Sequence, residues 1–201
     1  MAHDYPVTNS EEVYRGRLFG LRRDEVRMPG GSTAVREVLV HPGAVIIAAV
    51  DGEERLVLVH QYRHPVRRYL WELPAGLLDV NGEPPHLAAA RELAEEAGLV
   101  AARWNLLLDL APSPGISEET VRVFLARELS DVPEPERYVP DDDEESDMRI
   151  RRIPVEAAVR MALTGELENS ATVAGVLAVA RARSQRWLGL RPVDAPWAAR
   201  A

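Results

Sequence analysis

Four glutamates on or beside one short predicted helix are the residues of this chain best suited to chemistry. The helix is expected to run over about residues 84–97, because prolines suit a first helical turn and Gly98 favours a helix end. Glu92, Glu95 and Glu96 recur in it at spacings of three and four, which places their carboxylates side by side. Such neighbours repel by roughly 0.2–0.5 kcal/mol per pair. The arrangement therefore favours a bound divalent cation.

The glutamate-rich helix also has a second interpretation, since many helices of this composition are only solvent-exposed surfaces. Two neighbouring features favour the metal site. Arg91 comes directly before Glu92 and can bridge nearby carboxylates. The loop from Pro74 to Glu83 carries glycines and can offer backbone carbonyl oxygens beside the helix. A ligand set made of oxygens suits Mg²⁺ or Mn²⁺ rather than Zn²⁺.

Composition excludes several other kinds of chemistry. The chain has 201 residues, of which 46% are hydrophobic, so it can bury a proper core. It contains neither cysteine nor lysine, which excludes thiol catalysis, thiolate metal sites, Schiff bases and a P-loop lysine. Its net charge of −8 argues against a nucleic-acid partner. The chemistry must come from carboxylates, arginine, histidine, serine or tyrosine.

The sequence predicts neither a membrane partner nor export. Its longest apolar run, residues 44–50, is far too short to cross a bilayer. Residues 1–10 have neither the basic start nor the apolar middle of a signal peptide. We therefore expect a cytoplasmic location.

The N-terminal residues are expected to form a strand arm apart from the main domain. Two β-favouring runs flank residues 29–32 (PGGS) and predict a β-hairpin, with a looser glycine-rich loop as the alternative. Residues 41–43 (HPG) break this pattern. The sequence therefore predicts an antiparallel arm over residues 1–42 and a main domain over residues 43–201.

The main domain mixes strands and helices. Two buried apolar strands at 44–50 and 55–61 are joined by a turn, and a short strand at 71–73 precedes the glutamate helix. Three further strands and two helices are expected at 104–110, 120–126, 148–153, 155–163 and 171–183. This order predicts an α/β fold, specifically an α/β/α sandwich around a mixed sheet.

Apolar periodicity predicts which helix faces are buried. In the glutamate helix the apolar stripe consists of Leu87, Ala90, Ala94 and Ala97. In the last helix, which Ser170 is expected to cap, the stripe consists of Val173, Leu177 and Ala180. Residues from 190 onward have no clear period and are expected to form a tail.

The glutamate helix and its loop resemble the Nudix box, whose pattern is G-x5-E-x7-R-E-U-x-E-E-x-G-U with U aliphatic. Residues 91–99 (RELAEEAGL) match the helical half throughout, and Glu83 stands eight positions before Arg91. Gly76 is the leading glycine, but one residue more than the pattern allows separates it from Glu83. The resemblance implies a metal-binding helix preceded by a loop with a single-residue insertion.

The resemblance narrows to ADP-ribose pyrophosphatases of the actinobacterial type and covers residues from about 11 to 190. It rests on residues 71–76 (WELPAG), residues 62–64 (YRH), the strand arm, and Pro114 placed sixteen residues after Gly98. It implies the Nudix α/β/α sandwich and a homodimer with exchanged N-terminal arms. It also implies Mg²⁺-dependent hydrolysis of ADP-ribose to AMP and ribose 5-phosphate.

The sequence leaves other functions open. A Nudix diphosphatase could act on another nucleotide sugar or nucleoside diphosphate derivative, because the box specifies the chemistry and not the leaving groups. A Nudix-like module could bind ADP-ribose without cleaving it, although the intact glutamates disfavour this alternative. An acidic domain with no site is the simplest alternative, and metal titration would identify it.

The resemblance implies the metal ligands. Glu92 and Glu96 are expected to bind Mg²⁺ directly, and the carbonyl of Ala75 is expected to complete the site. Glu95 is expected to be a further or bridging ligand. Two metals would neutralise the diphosphate, polarise phosphorus and lower the pKa of an attacking water.

The resemblance also implies residues that act in catalysis. Arg91 and Glu95 belong to this group, and Glu83 is expected to bind Arg91, with direct metal ligation as the alternative. The general base is expected in the acidic loop at residues 141–147. Glu145 is preferred there, and the adjacent Glu144 is the alternative because one sequence does not fix the loop register.

Substrate binding is expected from the arm and from the second strand of the main domain. Arg36 and Arg63 are candidates to bind phosphate oxygens by forked contacts, with surface ion pairs as the alternative. Phe19 could stack on adenine from the partner subunit, although an aromatic residue in a strand is often simple core. Glu72 in the WELPAG run completes the predicted substrate-binding set.

Overall fold

Ten strands and three α-helices lie within residues 4–134, 138 and 147–200, the parts of the chain that the computed structural model describes. The two candidates for the general base, Glu144 and Glu145, lie outside the described residues. Their predicted role stays a prediction.

The chain divides into two units, each with its own internal contacts. The first unit contains the residues up to Gly43 together with the segment Ala111–Thr120. The second unit contains Ala44–Leu110 and the chain from Val121 onward.

Three antiparallel strands in the order β1-β2-β3 form the first unit, with the bounds β1 Val7–Arg15, β2 Gly20–Arg27 and β3 Thr33–Val40. Strands β2 and β3 confirm the predicted hairpin. The backbone N–H of Met28 donates to the carbonyl of Ser32 at 2.8 Å and closes the turn. Gly31 in this turn has φ of 85°, a conformation that favours glycine.

The segment Ala111–Thr120 pairs with the last strand of this unit. The N–H of Leu39 donates to the carbonyl of Ile116 at 2.8 Å, and the N–H of Glu118 donates to the carbonyl of Leu39 at 3.1 Å. A segment that the sequence assigns to the main domain is therefore grouped with the strand arm. The division at residues 42 and 43 stays a prediction.

Two sheets form the second unit. A mixed four-stranded sheet has the order β7-β4-β9-β8, in which β4 and β9 are parallel and the other pairs are antiparallel. An antiparallel three-stranded sheet has the order β10-β5-β6. The strand bounds are β4 Ala44–Ala49, β5 Arg55–Arg63, β6 Arg68–Glu72, β7 Ala75–Leu77, β8 Leu99–Leu110, β9 Val121–Asp131 and β10 Arg149–Pro154.

The strands β4 and β5 are buried, as the sequence predicts, but they do not form a continuous hairpin. They lie in different sheets, and a single bridge between Val50 and Leu56 joins them. The turn between them is closed by Asp51, whose carboxylate accepts from the N–H groups of Glu53 and Arg55 at 3.0 and 2.9 Å. The chain therefore changes sheets at this turn.

The helices cover both faces of the mixed sheet, which confirms the α/β/α sandwich. Val45 and Ile47 of β4 pack in one core with α1 (Pro85–Ala97). Ile46 of β4 packs in the other core with α2 (Val155–Thr164) and α3 (Ser170–Ser184), because successive strand residues point to opposite faces. Among the described residues, no helix is long and apolar enough to span a membrane.

The buried faces of the helices coincide only in part with the predicted stripes. Helix α1 buries Ala89, Leu93 and Ala97, whereas Leu87 is 51% exposed. Of the predicted stripe only Ala97 is buried, whereas Leu93, which the stripe leaves out, is fully buried in the core that contains Val45 and Ile47. Helix α3 buries mostly small residues, namely Ala171, Thr172, Gly175, Val176, Val179 and Ala182. Of the predicted stripe, Val173 and Ala180 pack against the core while partly buried, whereas Leu177 is exposed.

The residues after 190 pack against the sheet instead of forming a loose tail. The N–H of Leu106 donates to the carbonyl of Arg191 at 3.2 Å, and Val193 packs against the core on the α1 side. Trp197 is buried. The prediction is wrong because these contacts join the tail to strands far away in sequence, which leaves no local period to detect.

Candidate metal-dependent active site

The local sequence fixes both ends of helix α1. Pro84 precedes the helix with extended backbone, and Pro85 occupies its first turn, where the missing N–H costs no hydrogen bond. Gly98 ends the helix with φ of 62°, and its N–H donates to the carbonyl of Ala94 at 3.0 Å. The predicted helix is therefore confirmed, and its glutamates lie away from the buried face.

Arg91 is the centre of the carboxylate cluster. Its Nε and Nη2 groups donate to the two oxygens of Glu83, each at 3.2 Å. Its Nη1 group donates to Glu92 at 2.7 Å and to Glu95 at 2.9 Å. Hydrogen bonds to Glu83 and the charges of Glu92 and Glu95 raise the pKa of Arg91. The predicted contact between Glu83 and Arg91 is confirmed.

This cluster keeps an excess of negative charge. Three carboxylates surround one guanidinium, and Glu96 adds a fourth carboxylate on the same helix. Both Arg91 and Glu95 remain about one-third exposed, so water and small ions can reach the cluster. Carboxylates at these helical spacings repel one another, and a bound cation would reduce that repulsion.

The backbone at Ala75 lies beside the C-terminal part of the cluster. The N–H of Ala75 donates to Oε2 of Glu96 at 2.9 Å. Strand β7 holds this segment, because Ala75 pairs with Ile46, and the carbonyl of Pro74 accepts from the N–H of Ile47 at 2.8 Å. The structure therefore brings Ala75 and Glu96 together.

Gly76 lies against the side chain of Glu92, with no room for a side chain of its own. A Cβ atom at this position would lie 2.0 Å from Cδ of Glu92. The loop after β7 ends in a turn, in which the N–H of Glu83 donates to the carbonyl of Val80 at 3.2 Å and Gly82 has φ of 79°. The insertion thus leaves the leading glycine in contact with the helix.

The donor atoms of the cluster fit a hard divalent cation. The candidate ligands are the carboxylates of Glu92, Glu95 and Glu96 and a backbone carbonyl, all of them oxygen donors. Within the described residues, no three acidic or imidazole side chains converge on a common ligand position. Arg91 instead lies between Glu92 and Glu95. Metal binding therefore requires these two carboxylates to share their oxygens with Arg91 or to leave it.

Arg63 and Glu72 form an ion pair between β5 and β6. Nε and Nη2 of Arg63 donate to Oε2 of Glu72 at 3.0 and 2.6 Å. The side chain of Glu72 is only 2% exposed, whereas that of Arg63 is 40% exposed. The guanidinium is therefore oriented from within the protein and keeps an accessible part.

The other two predicted substrate-binding residues belong to the first unit. Arg36 lies on β3, is exposed, and donates from Nη1 to the carbonyl of Val35 at 2.8 Å. Phe19 precedes β2, is partly exposed, and has its ring centroid 6.0 Å from that of Tyr14. The contact of Arg36 with Val35 and the contact of Phe19 with Tyr14 do not bring Arg36 and Phe19 together.

Two residues near the site, Asn169 and Thr172, are not predicted from the sequence. Asn169 donates from Nδ2 to Oε1 of Glu72 at 3.0 Å, and the hydroxyl of Thr172 accepts from the N–H of Leu73 at 3.0 Å. Asn169 also caps α3, instead of the predicted Ser170, by accepting from the N–H of Thr172 at 2.9 Å. The known preference for asparagine at N-caps could have identified Asn169, and not Ser170, as the cap of α3.

The glutamate helix beside a glycine loop, set in an α/β/α sandwich, defines a class of proteins that use carboxylates around a divalent metal. The family model described as NUDIX domain matches residues 40–174, and the model described as nucleoside diphosphate sugar hydrolase N-terminal domain matches residues 6–39. The chain therefore belongs to the Nudix family of hydrolases.

Similar proteins support this assignment. The chain is 51% identical to a Mycobacterium tuberculosis (strain H37Rv) protein named ADP-ribose pyrophosphatase, over 97% of this chain and 92% of that protein. It is 36% identical to a Bacillus subtilis (strain 168) protein of the same name, over 81% and 85% of the two chains. A crystal structure of an ADP compounds hydrolase has the same fold, with a TM-score of 0.77, 24% identity and coverage of 92% and 97%.

Proposed function

We propose that this protein hydrolyses the diphosphate bond of ADP-ribose to AMP and ribose 5-phosphate, using Mg²⁺ or, alternatively, Mn²⁺. The carboxylate cluster around Arg91 carries the proposal, because it joins the glutamates of the Nudix box to Gly76 and to the backbone of Ala75. The identity of 51% to an ADP-ribose pyrophosphatase supports the choice of substrate.

The helix residues would hold the cation in this mechanism. Glu92, Glu96 and the carbonyl of Ala75 are the proposed ligands, and Glu95 is a further or bridging ligand. Bound divalent cations would neutralise the diphosphate and lower the pKa of the attacking water. Arg91 would hold two of these carboxylates side by side, since it donates to both Glu92 and Glu95.

Phosphoryl chemistry asks the protein mainly for charge and position, and the remaining residues would supply these. Arg63 would bind phosphate oxygens through its exposed N–H groups while Glu72 holds the guanidinium from behind. Arg36 would add a second phosphate contact and Phe19 a stacking surface for adenine. The general base would be Glu145, or Glu144 if the loop register differs by one.

We further propose a homodimer with exchanged N-terminal arms and a cytoplasmic location. Strand β1 is exposed at every residue. Large apolar side chains of the arm, including Tyr14, Phe19 and Val35, are also exposed in the single chain. A second copy would cover such surfaces. Light scattering that returns the mass of one chain would contradict this part of the proposal.

A related function has its own support. The N-terminal family model is described as belonging to nucleoside diphosphate sugar hydrolases, which favours another nucleotide sugar as the substrate. A module that binds ADP-ribose without cleaving it is a weaker alternative, since it would not need the complete set of glutamates.

The experiment is a hydrolysis panel with identified products. The purified full chain is incubated with Mg²⁺ and either ADP-ribose, several nucleotide sugars or a nucleoside triphosphate, and the products are separated by chromatography. We expect the highest kcat/KM for ADP-ribose, with AMP and ribose 5-phosphate in equal amounts. Faster cleavage of another nucleotide sugar would replace the substrate, and no cleavage of any compound would overturn the enzyme function.

A further inference from the structure

The start of helix α3 is hydrogen-bonded to two consecutive residues, Glu72 at the end of β6 and Leu73 directly after it. Asn169 donates from Nδ2 to Oε1 of Glu72 at 3.0 Å, while its Oδ1 accepts from the N–H of Thr172 at 2.9 Å. The hydroxyl of Thr172 accepts from the N–H of Leu73 at 3.0 Å. Thr172 is fully buried. A single helix turn therefore holds both Glu72 and Leu73.

Glu72 transmits the first of these contacts to Arg63. Its other oxygen, Oε2, accepts from Arg63 twice and from Nε2 of Gln61 at 3.3 Å. A buried carboxylate is costly unless its oxygens are well supplied with donors. Asn169 supplies the donor that Oε1 receives from α3. The orientation of the Arg63 guanidinium thus depends on an amide at the start of a distant helix.

Leu73 transmits the second contact to the metal carboxylates. It is followed directly by Pro74 and Ala75, and the N–H of Ala75 donates to Glu96. Helix α3 also approaches Leu73 closely one turn later, where a Cβ on Gly175 would lie 2.6 Å from Cδ1 of Leu73. The Ala75 segment is therefore held from two sides, by the pairing with β4 and by the contacts of α3 with Leu73.

We propose that Asn169 and Thr172 are positioning residues that fix the distance between the phosphate-binding arginine and the metal-binding segment. Asn169 acts through Glu72 on Arg63, and Thr172 acts through Leu73 on Ala75 and Glu96. Neither residue needs to touch the substrate. The inference rests on the proposed function, because that function gives Arg63 and Ala75 their roles.

The two contacts have separable consequences. Asn169→Ser keeps a good N-cap for α3 but is too short to reach Glu72. Arg63 then loses part of its support, so KM for ADP-ribose rises about tenfold with kcat changed less. Thr172→Val removes the acceptor for the Leu73 N–H with little change of volume. The Mg²⁺ concentration for half-maximal activity then rises about fivefold, and Thr172→Ser restores it.

Binding is measured beside turnover, so that failure of the inference differs from failure of the proposed function. Calorimetry with ADP-ribose in the absence of metal reports on Asn169→Ser, and calorimetry with Mn²⁺ alone reports on Thr172→Val. Thr164→Val is the matched control, because its hydroxyl bonds only within and next to the exposed end of α2. The melting temperature of each variant shows how much of any change is loss of fold.

The outcomes are distinct. Weaker ADP-ribose binding in Asn169→Ser and weaker Mn²⁺ binding in Thr172→Val, with Thr172→Ser and Thr164→Val close to the wild type, would support the inference. If the wild type cleaves no compound but these affinities shift as described, the positioning role stands and the proposed function fails. If the variants only melt earlier and keep wild-type KM, metal requirement and affinities, the residues are structural and the inference is overturned.

Discussion

Arg91 and Arg122 in the second unit each donate hydrogen bonds to several acceptors, but the kind of acceptor differs. The comparison distinguishes a candidate site around Arg91 from a structural cluster around Arg122, here called the Arg122 clamp. Arg91 binds three carboxylates within thirteen residues of sequence and is 33% exposed. Arg122 is 5% exposed and binds one carboxylate, Asp109, at 2.7 Å. Its other acceptors are the backbone carbonyls of Ala195 and Pro196 at 2.8 and 3.1 Å.

The charge balance of the two clusters has opposite sign. The Arg91 cluster has more carboxylates than guanidinium groups, so it attracts a cation. At Asp109 two arginines share one carboxylate, because Nη1 of Arg191 also donates to it at 2.9 Å. The Arg122 guanidinium further stacks on the ring of Trp197 at 4.6 Å. An arginine with satisfied, mostly neutral partners holds chain segments together, whereas one with surplus carboxylates indicates a site.

The largest effect is expected from Glu96→Gln. The change keeps the size and the hydrogen bond from Ala75 but removes the charge of a proposed metal ligand, so kcat with ADP-ribose and Mg²⁺ should fall about 10³-fold. The melting temperature should change little. Glu128→Gln is the control, since this glutamate is exposed and forms a long surface ion pair of 3.9 Å with Arg103. Wild-type turnover in Glu96→Gln would place Glu96 outside the site.

A smaller loss of activity is expected from Gly76→Ala. The added methyl would lie 2.0 Å from Glu92, so the carboxylate must move, and displacements of about 1 Å in an active site cost roughly 10²-fold in rate. Steady-state kinetics measures the effect. Gly52→Ala is the matched control, because a Cβ there would meet nothing within 4 Å. Equal activity of both variants would show that Glu92 tolerates the shift.

Arg122→Leu should act on stability instead of activity. The change leaves the carbonyls of Ala195 and Pro196 without their donor, at a cost of about 2 kcal/mol in the free energy of unfolding. Urea denaturation measures this cost, and kcat per folded molecule should stay near the wild-type value. Arg103→Leu serves as the exposed control. A loss of turnover as large as that of Gly76→Ala would show that the clamp also supports the site.

The smallest effect is expected from the pH dependence of the clamp. Burial tends to raise the pKa of Asp109, but hydrogen bonds from Arg122 and Arg191 outweigh it and lower the pKa below its ordinary value of 3.8. A lowered folded-state pKa contributes stability above pH 3.8 that is lost as the pH falls through the folded value. Asp109→Asn should therefore lose stability near neutral pH and show a shallower decline below pH 4. If the wild type and Asp109→Asn had identical pH profiles of unfolding, the charge of Asp109 would not contribute to the stability of the clamp.

The Arg91 cluster could be predicted from the sequence because its members are close in sequence. Helical spacing brings Glu95 to Arg91, Glu92 is the next residue in sequence, and the Nudix pattern places Glu83 directly before the helix. The strand arm and the sandwich could also be predicted, since strand alternation and turn residues are local signals.

The Arg122 clamp and the contacts of α3 could not be predicted in the same way. Arg122 binds Ala195 across 73 positions, and Asn169 binds Glu72 across 97 positions. Contacts at such separations depend on how the sheets stack, which the local pattern does not contain. The buried face of α1 was missed for a related reason, because the neighbours of Leu93 come from strands on both sides of the helix in sequence.

Calorimetric titration of Mn²⁺ and Mg²⁺ into the wild type and into the double variant Glu92→Gln/Glu96→Gln measures directly whether helix α1 binds metal. We expect saturable metal binding in the wild type, unchanged binding in Glu128→Gln, and a loss of affinity of at least about 10-fold in the double variant, which should remain folded. Metal binding of equal strength in the folded double variant would contradict the claim that helix α1 is a metal site.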